Sequence, residues 1–174
     1  KSLSKRDFKR VADPLSKFGA KFKLNKNKNL PLIINGSKNL KPFKYNENKG
    51  SAQCKSSVIL GGMRTKGTTI IKAKKSRNHT ELLCKYLKLP IKIKETKKND
   101  EIIIQKVKRI KKLNYNIPSD ISSSAFFMVL TALSNNSQLT IKGVNINPSR
   151  IGVITILKKM GVNISFKNKK LYKG

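Results

Sequence analysis

The sequence predicts an α/β protein that is built from repeated units. Apolar residues recur at helical spacing in some segments and alternate with polar residues in others, so helices and strands follow each other along the 174 residues. Shifting the chain by 73 residues, without a gap, lays similar segments on each other. These apolar clusters argue against a disordered chain, and no apolar run approaches the roughly 20 residues of a membrane helix.

The repeat joins polar as well as apolar positions. Two dipeptides recur unchanged, Ser51-Ala52 as Ser124-Ala125 and Ser76-Arg77 as Ser149-Arg150. Segment 15–22 also resembles segment 157–164, which indicates a third, truncated copy at the beginning of the chain. The unit is predicted as helix–strand–loop–helix–strand with one apolar face per element. Such a unit closes a core only by stacking on its copies.

Short elements are predicted for the first fifty residues. An apolar face from Phe8 to Phe18 predicts a helix over 6–18, which Pro14 either kinks or divides into two short helices. Turns of Asn, Lys and Gly then separate three predicted strands, 20–24, 30–34 and 40–45.

Helices and strands alternate in the rest of the chain. One helix begins at Gly50-Ser51, and a second spans 78–87. The side chains expected inside are Val58, Ile59, Leu60 and Met63 of the first and Leu82, Leu83, Tyr86 and Leu87 of the second. Further helices are predicted over 121–133, which Ser119-Asp120 caps, and over 149–160. The predicted strands are 68–72, 89–93, 101–107, 113–117, 139–144 and 162–166.

The net charge of +32 would ordinarily suggest a nucleic-acid partner, but its distribution weakens that interpretation. Lysines outnumber arginines by 34 to 6 and are spread along nearly the whole chain. Lys, Asn and Ile, which share AT-rich codons, make up 70 of the 174 residues, so a composition bias explains the excess. The favoured prediction is therefore no nucleic-acid partner, and a basic nucleic-acid-binding module remains the alternative.

Metal and redox chemistry find little support. Cys54 and Cys84 have no metal or redox spacing and are expected to be buried free thiols in a reducing compartment. His79 is the one histidine, so we expect it to be structural and predict no metal site.

Two predicted helix starts could bind an anion. The segment after Gly50 and the segment from Ser76 to Glu81 both begin a helix, where backbone N–H groups are free and the helix dipole favours negative charge. Ser51 and Gln53 add a hydroxyl and an amide there. A plain N-cap remains open as the alternative, since no glycine-rich phosphate loop is present. The scarce arginines are candidates for bidentate contacts: Arg6, Arg10, Arg64, Arg77, Arg109 and Arg150.

At these residues the chain resembles a known family. Five segments occur in order: Ser2-Leu3-Ser4-Lys5-Arg6, Ser51-Ala52-Gln53-Cys54-Lys55-Ser56, Arg77-Asn78-His79-Thr80-Glu81, Ser122-Ser123-Ser124-Ala125-Phe126-Phe127 and Asn147-Pro148-Ser149-Arg150. Together they resemble the 5-enolpyruvylshikimate-3-phosphate synthases, also called 3-phosphoshikimate 1-carboxyvinyltransferases. The Ser-Ala-Gln-x-Lys and Arg-x-His-x-Glu patterns are similar to the glyphosate-tolerant class of that family.

The resemblance implies a fold and a domain division. The family's fold is an inside-out α/β barrel of repeated βαβαββ-type units, the enolpyruvyl transferase fold, of which this chain would be a part. Residues 1–116 would be the C-terminal part of the first domain, and 119–174 the start of the second, with a crossover near 115–118. Because the family enzyme is more than twice this length, we expect a central fragment that lacks both ends.

The resemblance also implies a reaction, the transfer of the enolpyruvyl group of phosphoenolpyruvate to the 5-hydroxyl of shikimate 3-phosphate in aromatic amino-acid biosynthesis. Phosphoenolpyruvate would bind Arg6 and Gln53, and shikimate 3-phosphate would bind Ser51, Ala52, Gln53, Ser76 and Arg77. The catalytic acid and base would lie outside these residues, so the fragment should be inactive alone. No cofactor is implied, and the whole protein should be a cytoplasmic monomer with no membrane partner. Asp7 departs from the family pattern and places a negative charge beside Arg6.

Overall fold

The computed structural model describes residues 4–173, which fall into two compact units. The first unit comprises the described residues up to Lys111 together with Lys173, and the second runs from Lys112 to Tyr172. The assignment of 1–116 and 119–174 to two domains of the family stays a prediction. Among the described residues, no helix combines the length and the apolar character needed to cross a membrane.

The first unit alternates helices with short strands. Its elements are α1 (Lys9–Lys17), β1 (Lys21–Leu24), β2 (Leu32–Asn35), β3 (Lys44–Glu47), α2 (Ala52–Gly62), β4 (Thr68–Lys74), α3 (His79–Tyr86), β5 (Ile91–Glu95) and β6 (Asn99–Gln105). Strands β1 and β2 form an antiparallel pair, and the other four form a sheet in the order β3-β4-β6-β5. Strands β3 and β4 run parallel, whereas the other neighbours in this sheet are antiparallel.

Alternation along the central strands places one face of the four-stranded sheet against α2. In β4, Thr69, Ile71 and Ala73 are buried while the residues between them are more exposed, as the two-residue period of a strand requires. Strand β6 buries Ile102 and Ile104 in the same way. These side chains pack with those of α2 and α1 into one core, which includes Phe18, Val58, Ile59 and Met63.

Two predictions about inward-facing side chains are wrong. Leu60 is 57% exposed, because the buried face of α2 turns through Val58, Ile59 and Gly62 and leaves it outside. In α3 the buried residues are Glu81 and Cys84, while Leu83 and Tyr86 are 37% and 45% exposed. The polar Glu81 takes an inner position because a buried cation meets it there. Both cysteines are buried free thiols, as predicted.

Helix α1 is one continuous helix, so its division at Pro14 is wrong. The third predicted strand is displaced, from 40–45 to Lys44–Glu47. The second unit contains α4 (Ile121–Leu133) and α5 (Gly152–Lys159) among its described residues. The strands predicted at 113–117, 139–144 and 162–166 are wrong.

The missing strands of the second unit have a simple explanation. Within residues 112–172 the β-type pairing is an isolated parallel bridge between Ser119 and Val144. An alternating segment becomes a strand only where another backbone supplies its hydrogen bonds.

The repeat is visible in the helices. A shift of 73 residues carries α3 onto α5 residue for residue. It also carries Glu47 onto Asp120. In both copies the carboxylate accepts a hydrogen bond from the backbone N–H two residues on, at 3.0 Å from Lys49 and at 3.1 Å from Ser122.

Gly61 tests the packing of α1 against α2. A Cβ at this position would lie 2.5 Å from Cε2 of Phe18. The Phe18 ring is buried and packs edge-on against Phe43, with the two ring centroids 4.6 Å apart. Overpacking a core costs about 1–3 kcal/mol. We therefore expect Gly61→Ala to lower the free energy of unfolding, although Ala gains about 1 kcal/mol over Gly in a helix interior. Urea denaturation would measure the loss.

The control for this prediction is Gly152→Ala in α5. Nothing lies within 4 Å of the added Cβ there, so the change should be neutral or stabilising. Equal stability of the Gly61→Ala variant and the parent chain would contradict the packing described.

Candidate active site

The parallel pairing of β3 with β4 brings two helix starts to one edge of the sheet. Glu47 at the end of β3 pairs with Ala73 near the end of β4, so both chains leave the sheet on the same side. The first continues into α2 and the second into α3. Gly50 has φ +68°, and a Cβ on it would lie 3.5 Å from the carbonyl oxygen of Lys75, so the two connecting loops are in contact. In open α/β sheets, ligands commonly bind just outside the carboxyl ends of the parallel strands.

Ser51 is the N-cap of α2. Its Oγ accepts a hydrogen bond from the backbone N–H of Cys54 at 3.3 Å. Ser51 therefore caps α2, but this role leaves hydrogen-bond donors free at the start of the helix. The hydroxyl hydrogen can still be donated, and the first-turn amides of Ala52 and Gln53 have no acceptor one turn earlier in their own helix.

The side chain of Gln53 is held by an arginine of another helix. Nη2 of Arg10 donates to Oε1 of Gln53 at 2.6 Å, and both side chains are exposed. With its oxygen engaged, the amide presents its two N–H donors elsewhere. The scarcity of arginine had marked Arg10 as a candidate, but nothing in the sequence distinguished it from the other five or paired it with Gln53.

Pro14 explains how Arg10 is brought to α2. A proline has no N–H, so the carbonyl of Arg10, four residues earlier, has no helical donor. The thiol of Cys54 donates to that carbonyl instead, at 3.2 Å. The proline that was expected to disturb α1 thus leaves an acceptor open at the contact between α1 and α2, next to Gln53.

Two further contacts join the first turns of α2 and α3. The hydroxyls of Ser56 and Thr80 are hydrogen-bonded at 2.7 Å. Next to them, Nζ of Lys55, one residue before Ser56, lies 2.5 Å from Oε1 of Glu81, one residue after Thr80. Both of these side chains are almost completely buried. The two helix starts are therefore tied together below the surface that carries Ser51 and Gln53.

Ser76 and Arg77 lie in the loop between β4 and α3. Oγ of Ser76 is shielded from solvent and has no hydrogen-bond partner among residues 4–173, so its hydrogen-bonding capacity is unmet. Arg77 is exposed. Arg6 is also exposed and precedes α1, and within the described part of the chain no hydrogen bond or ion pair joins it to the other predicted site residues. The carboxylate of Asp7 accepts from the backbone N–H of Lys9 at 2.7 Å, so it stabilises the entry to α1.

The second repeat shows an alternative use of the same arginine position. Nη2 of Arg150, the counterpart of Arg77, binds Oδ1 of Asp120 at 2.8 Å and Oγ of Ser122 at 2.6 Å. The backbone N–H of Ser122, followed by the Arg150 guanidinium, lowers the pKa of the Asp120 carboxyl below its usual range. In the first repeat the matching carboxylate, Glu47, is buried. Arg77 makes no ion pair within residues 4–173, so its guanidinium is available to a ligand.

The thiol of Cys84, in α3, is a poor nucleophile. Burial, followed by the neighbouring Glu81, raises the pKa of Cys84 to about 11. A thiol with that pKa is almost entirely protonated at neutral pH. The described residues contain no group of three or more His, Cys, Asp and Glu side chains that could hold a metal ion.

Comparisons with known proteins identify the family of the chain. The family model described as EPSP synthase (3-phosphoshikimate 1-carboxyvinyltransferase) matches residues 1–173. The chain belongs to this family. The curated 3-phosphoshikimate 1-carboxyvinyltransferase of Petrotoga mobilis is 40% identical over 171 residues, which cover 97% of this chain and 39% of the relative. The enzyme of Leuconostoc mesenteroides is 42% identical over 167 residues, which cover 95% of this chain and 38% of the relative.

Solved structures of EPSP synthases have the same fold. The EPSP synthase of Acinetobacter baumannii matches with a TM-score of 0.77 and 34% identity, over 98% of this chain and 38% of that one. The enolpyruvyl transferase NikO of Streptomyces tendae, at 17% identity and a TM-score of 0.67, shares the fold. The α/β prediction and the enolpyruvyl transferase fold are confirmed. The chain spans well under half the length of these relatives.

Proposed function

We propose that this protein transfers the enolpyruvyl group of phosphoenolpyruvate to the 5-hydroxyl of shikimate 3-phosphate and releases inorganic phosphate. The first unit of the chain would supply part of the shikimate 3-phosphate site. The observation that best supports this proposal is the parallel β3–β4 pair, because it places the start of α2 and the loop before α3 at one sheet edge. These two segments carry five of the six residues that family resemblance assigns to substrate.

The reaction makes defined demands on the protein. The hydroxyl oxygen attacks the middle carbon of phosphoenolpyruvate and a tetrahedral intermediate forms, after which phosphate leaves. Both substrates are anions, so the work consists of positioning charges and transferring protons. We assign the positioning of shikimate 3-phosphate to Ser51, Ala52, Gln53, Ser76 and Arg77, and that of phosphoenolpyruvate to Arg6 and Gln53. We assign no catalytic acid or base within residues 1–174.

Each assigned group offers a donor that suits a phosphate or a hydroxyl. The first turn of α2 offers backbone amides, and Gln53 offers its N–H₂ because Arg10 occupies its oxygen. Arg77 offers a guanidinium that has no ion pair within residues 4–173, and a guanidinium can bind phosphate through two parallel hydrogen bonds. Ser76 would gain the hydrogen bond that its hydroxyl lacks, once neighbouring atoms move enough to admit a ligand oxygen.

Calorimetric titration tests the proposal, with shikimate as the control ligand that lacks the phosphate. We expect the longest reading frame containing this chain to bind shikimate 3-phosphate and to release phosphate from phosphoenolpyruvate. The 174-residue chain alone should show no enolpyruvyl transfer. Failure of the complete protein to bind shikimate 3-phosphate would refute the function. Turnover by the 174-residue chain would refute the placement of the catalytic groups outside it.

Arg10 was not assigned to a substrate from the sequence, but we expect it to affect the binding of both substrates because it holds Gln53. We expect Arg10→Ala to weaken shikimate 3-phosphate binding by about tenfold, because Gln53 loses a charge-assisted hydrogen bond that orients its amide. Arg10→Lys, which keeps a cationic donor, should lose less. Lys9→Ala removes one exposed charge from the same helix and serves as the control. Equal effects of Arg10→Ala and Lys9→Ala would contradict the orienting role.

We further propose that the whole protein is a cytoplasmic monomer and that it belongs to the glyphosate-tolerant class of the family.

We also propose that the protein does not bind nucleic acid. The exposed aromatic side chains Phe126 and Phe127 support this proposal, because they lie in a stretch, 113–141, without a single Lys or Arg. A single-strand binding groove instead interleaves aromatic rings with basic residues. Oligonucleotide binding that falls steeply with salt would contradict this exclusion.

A further inference from the structure

The ion pair between Lys55 and Glu81 is unusual for its depth. The side chain of Lys55 is 0% exposed and that of Glu81 is 5% exposed. Although Nζ and Oε1 lie 2.5 Å apart, the Lys55 ammonium makes no hydrogen bond of ordinary geometry to any described residue, and Oε2 of Glu81 has no partner. Removing two charges from water costs free energy that only complete hydrogen bonding repays. A pair this incompletely satisfied is a poor source of stability.

The position of the pair suggests another role. Lys55 follows Ser51 by one helical turn in α2, and Glu81 follows Arg77 by about one turn at the start of α3. The hydrogen bond between Ser56 and Thr80 lies directly beside the pair. These contacts connect the two segments that bind shikimate 3-phosphate in the proposed function. Unmet polar atoms gather at the same sheet edge, since Ser76, Glu81 and Glu47 each have one.

We infer that Lys55 and Glu81 are positioning residues that set the spacing and orientation of the first turns of α2 and α3, at little or no gain in stability. The inference rests on the proposed function for its ligand, but the positioning itself is a property of the fold. Binding elements must be held by rigid supporting residues to keep their geometry. In some proteins a buried charged or polar pair fixes the register of two helices, and we assign that role to this pair.

The decisive variant replaces both charges, Lys55→Met with Glu81→Leu. The matched control replaces an exposed ion pair of the same unit, Lys94→Met with Glu101→Leu, whose charged atoms lie 3.5 Å apart on β5 and β6. Three quantities are measured for each: the melting temperature, hydrogen exchange at amides 52–54 and 79–81 against those of β4 and β6, and the affinity for shikimate 3-phosphate.

We expect the buried double variant to melt no lower than the parent, to exchange the first-turn amides at least about tenfold faster, and to leave the β4 and β6 amides unchanged. Its affinity for shikimate 3-phosphate should fall by about tenfold or more, because small displacements of binding groups are costly. The control should change neither first-turn exchange nor affinity.

Two results would overturn the inference. One is a folded double variant with unchanged exchange at the two helix starts. The other is a double variant that does not fold, since the pair would then serve stability. If the parent protein itself fails to bind shikimate 3-phosphate, the proposed function fails, while the exchange measurement still decides whether the pair positions the helices.

Discussion

Replacing Lys55 alone by Met should lower the free energy of unfolding by about 3–5 kcal/mol. The substitution keeps the length and most of the volume of the side chain but removes its charge. Glu81, which is 4% exposed, then retains a buried carboxylate without a counter-charge. Chemical denaturation followed by circular dichroism would measure the loss.

Lys94→Met provides the comparison on the surface. Lys94 and Glu101 are 73% and 43% exposed, and such pairs contribute about 0–1 kcal/mol. A loss at Lys55 no greater than the loss at Lys94 would show that Glu81 is solvated, contrary to the structure. The contrast with the double replacement is informative, because breaking a buried pair is costly whereas removing it entirely is not.

Arg77→Gln should weaken the binding of shikimate 3-phosphate by about 10- to 100-fold, since a hydrogen bond to a charged group contributes about 1.5–3 kcal/mol. The glutamine retains polarity and some length but cannot form the paired contact of a guanidinium with a phosphate. Binding of phosphoenolpyruvate, to which we do not assign Arg77, should change much less. Isothermal titration with each substrate would separate the two effects.

Arg64→Gln is the matched control for charge. Arg64 is exposed and lies just beyond the C-terminal end of α2, at the end opposite Ser51. Both variants lower the net charge by one, so they weaken the long-range attraction of anions equally. Equal losses of affinity in the two variants would mean that the diffuse lysine field, and not a contact by Arg77, attracts the substrate.

The local features of the chain could be predicted from sequence because their causes are local. The markedly apolar segment 121–133 forms α4, and the Asp120 carboxylate caps it as expected. Ser51 begins α2 for the same reason. The 73-residue repeat anticipated that α5 would match α3, since the two segments occupy the same place in the repeated order of helices and strands.

Pairings between distant segments could not be predicted in this way. The strand order β3-β4-β6-β5 depends on which backbones meet, and alternation along one strand says nothing of its neighbour. The contact of Arg10 with Gln53 spans 43 residues and requires two helices to pack first. The burial of Lys55 runs against the usual exposure of lysine, and only the facing carboxylate of Glu81 accounts for it.

The arginines of the two Ser-Arg dipeptides, Arg77 and Arg150, occupy equivalent positions in the repeat but have different surroundings. In the second copy Arg150 is hydrogen-bonded to Asp120. In the first copy the matching carboxylate, Glu47, is buried, and Arg77 makes no ion pair within residues 4–173. The first copy therefore has an exposed guanidinium, that of Arg77, at the position where the second copy has one paired with Asp120. The burial of one acidic side chain therefore coincides with an arginine that has no ion pair within residues 4–173, whereas the exposed acid of the other copy holds its arginine.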